Sequence, residues 1–143
     1  MGKRRRAREL ALSILYQLEF RPEKPAEVLD TFLADYRSPP DVGSYVRQLV
    51  EGTLGHREDI DDLIAQHTEH WHFSRIALVE RNILRLATYE FIFHTEVPEK
   101  VILNEAIEIA KQYGSEDSGR FVNGILDKIR GITRPPLLEP AER

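Results

Sequence analysis

The sequence contains no cysteine among its 143 residues. That excludes disulfides, thiolate metal ligands and cysteine nucleophiles together, and points to a reducing, cytoplasmic setting. It also lacks an apolar run of bilayer length. The longest candidate, Ile83 to Phe93, is interrupted by Arg85, Thr88, Tyr89 and Glu90, which places it in a soluble core, so no membrane contact is expected. A secretory leader is missing too: Glu9, Gln17 and Glu19 break the stretch after the basic start, and no small-residue cleavage site follows. Met1-Gly2 suggests myristoylation, but Arg6 stands where that signal needs serine or threonine. Neither a P-loop nor a dinucleotide fingerprint occurs. Gly114, Gly119 and Gly124 follow no strand, so a phosphate-cradling loop is not expected. No cofactor is expected, and catalysis has few places to reside.

What remains is a chain of single-domain size that can bury roughly two-thirds of its unfolded surface. Apolar residues make up 41% and charged residues 31%, an ordinary globular balance. The formal net charge is −4, yet Lys3, Arg4, Arg5, Arg6 and Arg8 are all basic and no acid precedes Glu9. An acidic protein does not coat polyanions indiscriminately, so a cationic cluster at one end points to a local contact.

Helical periodicity dominates. Leu10, Ile14, Leu15 and Leu18 line one face of a first helix, with Arg5, Arg8 and Tyr16 on neighbouring faces, and Pro22 and Pro25 end it. Ala26 to Tyr36 reads as a second helix, stopped by Ser38-Pro39-Pro40. Asp41 is placed to cap a third, whose buried face is Val42, Tyr45, Val46, Leu49 and Val50, and whose end is loosened by Gly52 and Gly55. A fourth, with Ile60, Leu63 and Ile64, fades near His67 to His72. Trp71, Phe73 and Ser74 form a connector, Ser74 as the next cap. Apolar residues from Ile76 to Ile92 then cover so much of the helical wheel that this helix must be central. Pro98 begins a sixth helix that runs to Tyr113-Gly114, and Ser115 and Asp117 open a seventh that Gly131 ends. The expected fold is all-α: about seven helices in a compact orthogonal bundle over residues 1–132, in two parts (about 1–72 and 73–132) with a break near His72 to Ser74, followed by a mobile tail over 133–143.

Arginine's planar fork contacts phosphate oxygens and stacks on bases, and four arginines within five positions spread that ability around one helical turn. Tyr16 lies two turns beyond Arg8, where its ring either extends that surface or enters the core. Phe121 sits among Lys111, Gln112, Arg120 and Lys128, an aromatic with basic neighbours of the kind single-strand binding uses, on a spacing that equally fits an apolar stripe. His67, Glu69, His70 and His72 are the metal-site candidates, but they supply one Glu-x-x-His pair where a di-iron bundle needs two. Glu90, Glu105 and Glu108 are candidate acids or bases that read better as solvated or capping carboxylates.

Four motifs occur in order across most of the chain: Arg4-Arg5-Arg6-Ala7-Arg8-Glu9 with Leu15-Tyr16, Glu80-Arg81-Asn82-Ile83-Leu84-Arg85, Asn104-Glu105-Ala106, and Phe121-Val122-Asn123-Gly124-Ile125-Leu126-Asp127. Together they resemble the NusB family of bacterial antitermination factors, from about Lys3 to Arg130. The resemblance implies a non-enzymatic adaptor that pairs with NusE, a small-subunit ribosomal protein, and binds single-stranded boxA RNA in ribosomal RNA leader transcripts. It further implies assembly with other Nus factors on RNA polymerase, as a monomer or a homodimer, a dimer covering the arginine surface. By position, it places Arg4, Arg5, Arg6, Arg8 and Tyr16 on the RNA side of the first helix, Asp117 and Phe121 on the RNA side of the last, and Glu80 toward NusE. The scarcity of base-reading amides on the first helix leaves sequence specificity to be found elsewhere. The rival readings are a NusB-like domain serving ribosomal RNA methylation, a small helical metal hydrolase, and a structural interaction module.

Overall fold

The computed structural model describes residues 2–22, 24–68 and 73–134. Among them lie seven α-helices: α1 Lys3–Leu18, α2 Pro25–Tyr36, α3 Pro40–Gly55, α4 Arg57–Ala65, α5 Leu78–Phe93, α6 Glu99–Tyr113 and α7 Glu116–Thr133. A single 3-10 turn, Phe73–Arg75, precedes α5. No strand occurs in the described residues, and no helix there is long and apolar enough to cross a membrane.

As its apolar coverage predicts, α5 is the axis of the bundle. Every residue from Asn82 to Phe91 is buried, and α1, α3, α4, α6 and α7 all pack against it. Leu84, Phe91, Leu49, Ile14 and Leu126 are fully buried, each contributing about 1.5–3 kcal/mol of apolar burial. A run of ten buried positions on one helix also buries Arg85, Thr88 and Glu90, and buried charges must find partners inside the protein.

Two glycines are required by close approach. A β-carbon on Gly52 would lie 2.1 Å from the Tyr89 ring, so the absence of a side chain, not loosened backbone, lets α5 lay that tyrosine against α3. At Gly114 a β-carbon would lie 2.4 Å from Ser118 Oγ. That hydroxyl belongs to a reciprocal cap in which Ser115 accepts from the Ser118 backbone and Ser118 from that of Ser115.

Several helix ends differ from expectation. Asp41 is not the cap of α3: Pro39 is, and Pro40 supplies a first-turn residue with no amide hydrogen to satisfy. Ser74 lies in the 3-10 turn, and Ala77 caps α5. Gly131 does not end α7, which continues to Thr133. The first residues of the expected tail are anchored. Arg134 donates hydrogen bonds to the carbonyls of Glu90, Phe91, His94 and Val97, placing a cation at the negative C-terminal end of α5. The rest of the tail, and Glu69, His70, Trp71 and His72, lie outside the described residues.

Candidate nucleic-acid interface

The cationic cluster on α1 does not project uniformly into solvent. Arg8 is buried, and its Nε and Nη2 donate to the two carboxylate oxygens of Glu90, each at 2.8 Å. Tyr45 completes this site by donating its hydroxyl to Glu90 at 2.8 Å. Burial opposes the charge on Arg8, but the bonds and charge of Glu90 outweigh it and hold the guanidinium protonated above its ordinary range. The Tyr45 hydroxyl is pushed up, by burial first and the Glu90 charge second. Arg5 forms a fork-to-fork pair with Glu105 and is four-fifths buried. The Arg5 bond is the main reason the Glu105 carboxyl is held below the usual range. Glu90 and Glu105 are therefore neither solvated nor capping carboxylates: each is the fixed counter-charge of an arginine on α1.

The outward members are Lys3, Arg4 and Arg6, with side chains 70%, 50% and 51% exposed. Lys3 meets Asp41 at 2.9 Å. Arg4 lies 4.2 Å from the Tyr45 ring centroid and donates to the Tyr45 hydroxyl at 3.3 Å, a cation held over an aromatic ring. Arg6 stands 3.6 Å from Glu9. Along the same helix Tyr16 is exposed, sits edge-on to Phe20, and lines a shallow groove with Leu12, Ser13, Gln17, Val79 and Tyr113. Glu80, the expected partner-facing residue, follows Val79 in the first turn of α5.

On α7, Asp117 is highly exposed and paired with Arg120, whereas Phe121 is partly buried against the core. A second buried cluster was not visible in the sequence. Arg85 bonds Asp61, Glu19 and Asn82, joining α5 to α4 and to the end of α1. Charges at positions 85 and 90 of a helix that must be central were the available signal, since each requires a buried partner. Among the described residues no group of three or more His, Asp or Glu is placed to hold a metal ion, and His67 is bonded to the Leu63 carbonyl.

These features define an all-helical protein with an internal charge network and with exposed cations and an exposed tyrosine on its first helix. The NusB family model matches residues 5–130, and the chain belongs to the NusB family. It is 44% identical over 129 residues to the transcription antitermination protein NusB of Desulfatibacillum aliphaticivorans, covering 90% of each chain. Its fold matches NusB of T. maritima with a TM-score of 0.86 at 41% identity, over 94% of each chain. It also matches, at a TM-score of 0.84 and 32% identity, a chain in a crystal structure of antitermination factors NusB and NusE in complex with double-stranded RNA, over 92% of this chain and 98% of that one.

Proposed function

We propose that this chain is a cytoplasmic, non-enzymatic transcription antitermination factor that binds boxA RNA of ribosomal RNA transcripts together with NusE. With other Nus factors it then helps RNA polymerase transcribe processively. The observation that carries this reading is the family match over residues 5–130 coinciding with exposed Lys3, Arg4, Arg6 and Tyr16 side chains on α1. The likeness to a chain seen with NusE and RNA supports both partners. Arg4, Arg6 and Tyr16 contact RNA from α1, Asp117 and Phe121 from α7, and Glu80 faces NusE. Arg5 and Arg8 are assigned a different role from the one their positions imply. Their guanidiniums are committed to Glu105 and Glu90, so they position α1 rather than touch phosphate.

The test is an electrophoretic shift of a boxA RNA and of a scrambled RNA, each with and without NusE. Selective, NusE-enhanced binding of boxA is expected. Equal binding of both RNAs with NusE present would refute the reading.

A further inference from the structure

Resting on that RNA-binding reading, we infer that a cleft between the start of α1 and the outer face of α3 is a subsite for one nucleotide of single-stranded RNA, and that Gln48 reads its base. The cleft, of about 290 Å³, is lined by Lys3, Arg4, Asp41, Ser44, Tyr45 and Gln48 among others. Its volume is at the small end for ligand pockets. Ser44 and Gln48 stand one turn apart on α3, both exposed, so their polar groups share a face.

Each wall supplies a different part of nucleotide recognition. Lys3, paired with Asp41 at the rim, is a point charge suited to phosphate. Arg4 lies over Tyr45 at 4.2 Å and remains half exposed, which leaves part of its guanidinium accessible to a base, as guanidinium planes are in RNA recognition. The ring beneath it is fixed, because the Tyr45 hydroxyl is tied to Glu90. Gln48 carries an amide with both donor and acceptor, and Ser44 a hydroxyl that serves as either. An amide of this kind makes paired hydrogen bonds to a base edge offering the complementary pair, adenine above all. The first turn of α1 has no such group, and α3 brings one to it from forty-odd positions along the chain. Asp41 adds a carboxylate that repels a phosphate brought too deep, favouring entry of the base.

The experiment measures affinity for boxA and scrambled RNA, with NusE present, for wild type, Gln48→Ala and Ser44→Ala, with melting temperatures as the fold control. Both residues are exposed, so wild-type melting is expected. Gln48→Ala should lose about ten-fold in boxA affinity, the equivalent of one good amide–base contact, with scrambled RNA unaffected; Ser44→Ala should lose less. Wild-type discrimination that Gln48→Ala retains in full overturns the subsite and leaves the RNA-binding reading standing. An equal loss on both RNAs overturns base reading by Gln48. Failure of the wild type to prefer boxA removes the RNA-binding reading, and the subsite with it.

Discussion

Replacing Arg8 with glutamine separates the two roles this residue can have. If it meets RNA, the variant folds normally and binds weakly. The geometry requires the reverse. The Arg8 and Glu90 side chains are 6% and 2% exposed, and the replacement leaves a buried carboxylate with Tyr45 as its remaining close donor. Removing one partner of a buried pair costs about 3–5 kcal/mol, because an uncompensated charge remains. Against a total stability of roughly 5–15 kcal/mol, that is a large fraction. For a chain of this size it corresponds to a fall of roughly 10 °C in Tm.

The assay is thermal and urea unfolding followed by far-ultraviolet circular dichroism, for Arg8→Gln, Glu90→Gln and the double variant. The double variant holds no unpaired buried charge, so its loss should be well below the sum of the singles, the non-additivity that marks contacting residues. An Arg8→Gln protein that melts within about 2 °C of wild type, a loss under roughly 1 kcal/mol, yet fails to bind RNA would refute the argument and return Arg8 to the RNA surface.

Gly52→Ala gives a test of opposite sign to helix propensity. In an open helix the change stabilises by up to about 1 kcal/mol, but a β-carbon 2.1 Å from the Tyr89 ring should destabilise by about 1–3 kcal/mol as the ring is displaced; a raised urea midpoint would contradict the packing. The Arg5–Glu105 pair predicts a pH dependence. Because Arg5 lowers the Glu105 carboxyl in the folded state, the pair's stabilisation is complete above the unfolded carboxyl value of about 4.3. It is lost as pH falls from there through the lower folded value. Glu105→Gln should flatten the urea midpoint against pH across that acid window, and an unchanged profile would show that the pair contributes nothing there.

The fold was legible wherever local pattern determines structure. The apolar wheel of Ile76 to Ile92 marked α5 as central, and Ser115 marked the start of α7. Caps were misread where proline competes. Asp41 has the side chain of an N-cap, but the Pro39-Pro40 pair before it fixes backbone angles that start the helix earlier. The site was harder to read because its decisive contacts are distant in sequence. Arg8 and Glu90 are 82 positions apart, and Arg5 and Glu105 are 100 apart. No spacing rule connects such residues, and motif order alone assigned all four arginines to one outward surface. Tyr16 was open between surface and core until its exposure of 39% placed it outside.

The internal pairs also alter what the cationic cluster is. Each of its five members faces a carboxylate: Lys3 with Asp41, Arg4 with Glu96, Arg5 with Glu105, Arg6 with Glu9 and Arg8 with Glu90. An exposed pair contributes little to stability, so Lys3 and Arg4 can exchange a carboxylate for a phosphate at small cost; Arg6 can do so only by leaving Glu9, whose side chain is 5% exposed. Arg5 and Arg8 cannot, since exchange would leave Glu105 or Glu90 without its partner in the interior. The five cations thus divide into two held in exposed pairs, two fixed in the interior, and Arg6, exposed itself but set against a buried carboxylate. The fixed pairs tie α1 to α5 and α6, which sets the direction in which Lys3, Arg4, Arg6 and Tyr16 face. A surface oriented in advance by its own core loses less conformational freedom on binding. On this reasoning the buried arginines support the proposed RNA recognition through the direction they give to α1, and the charge proposed to meet the RNA is that of the three outward cations, most freely Lys3 and Arg4.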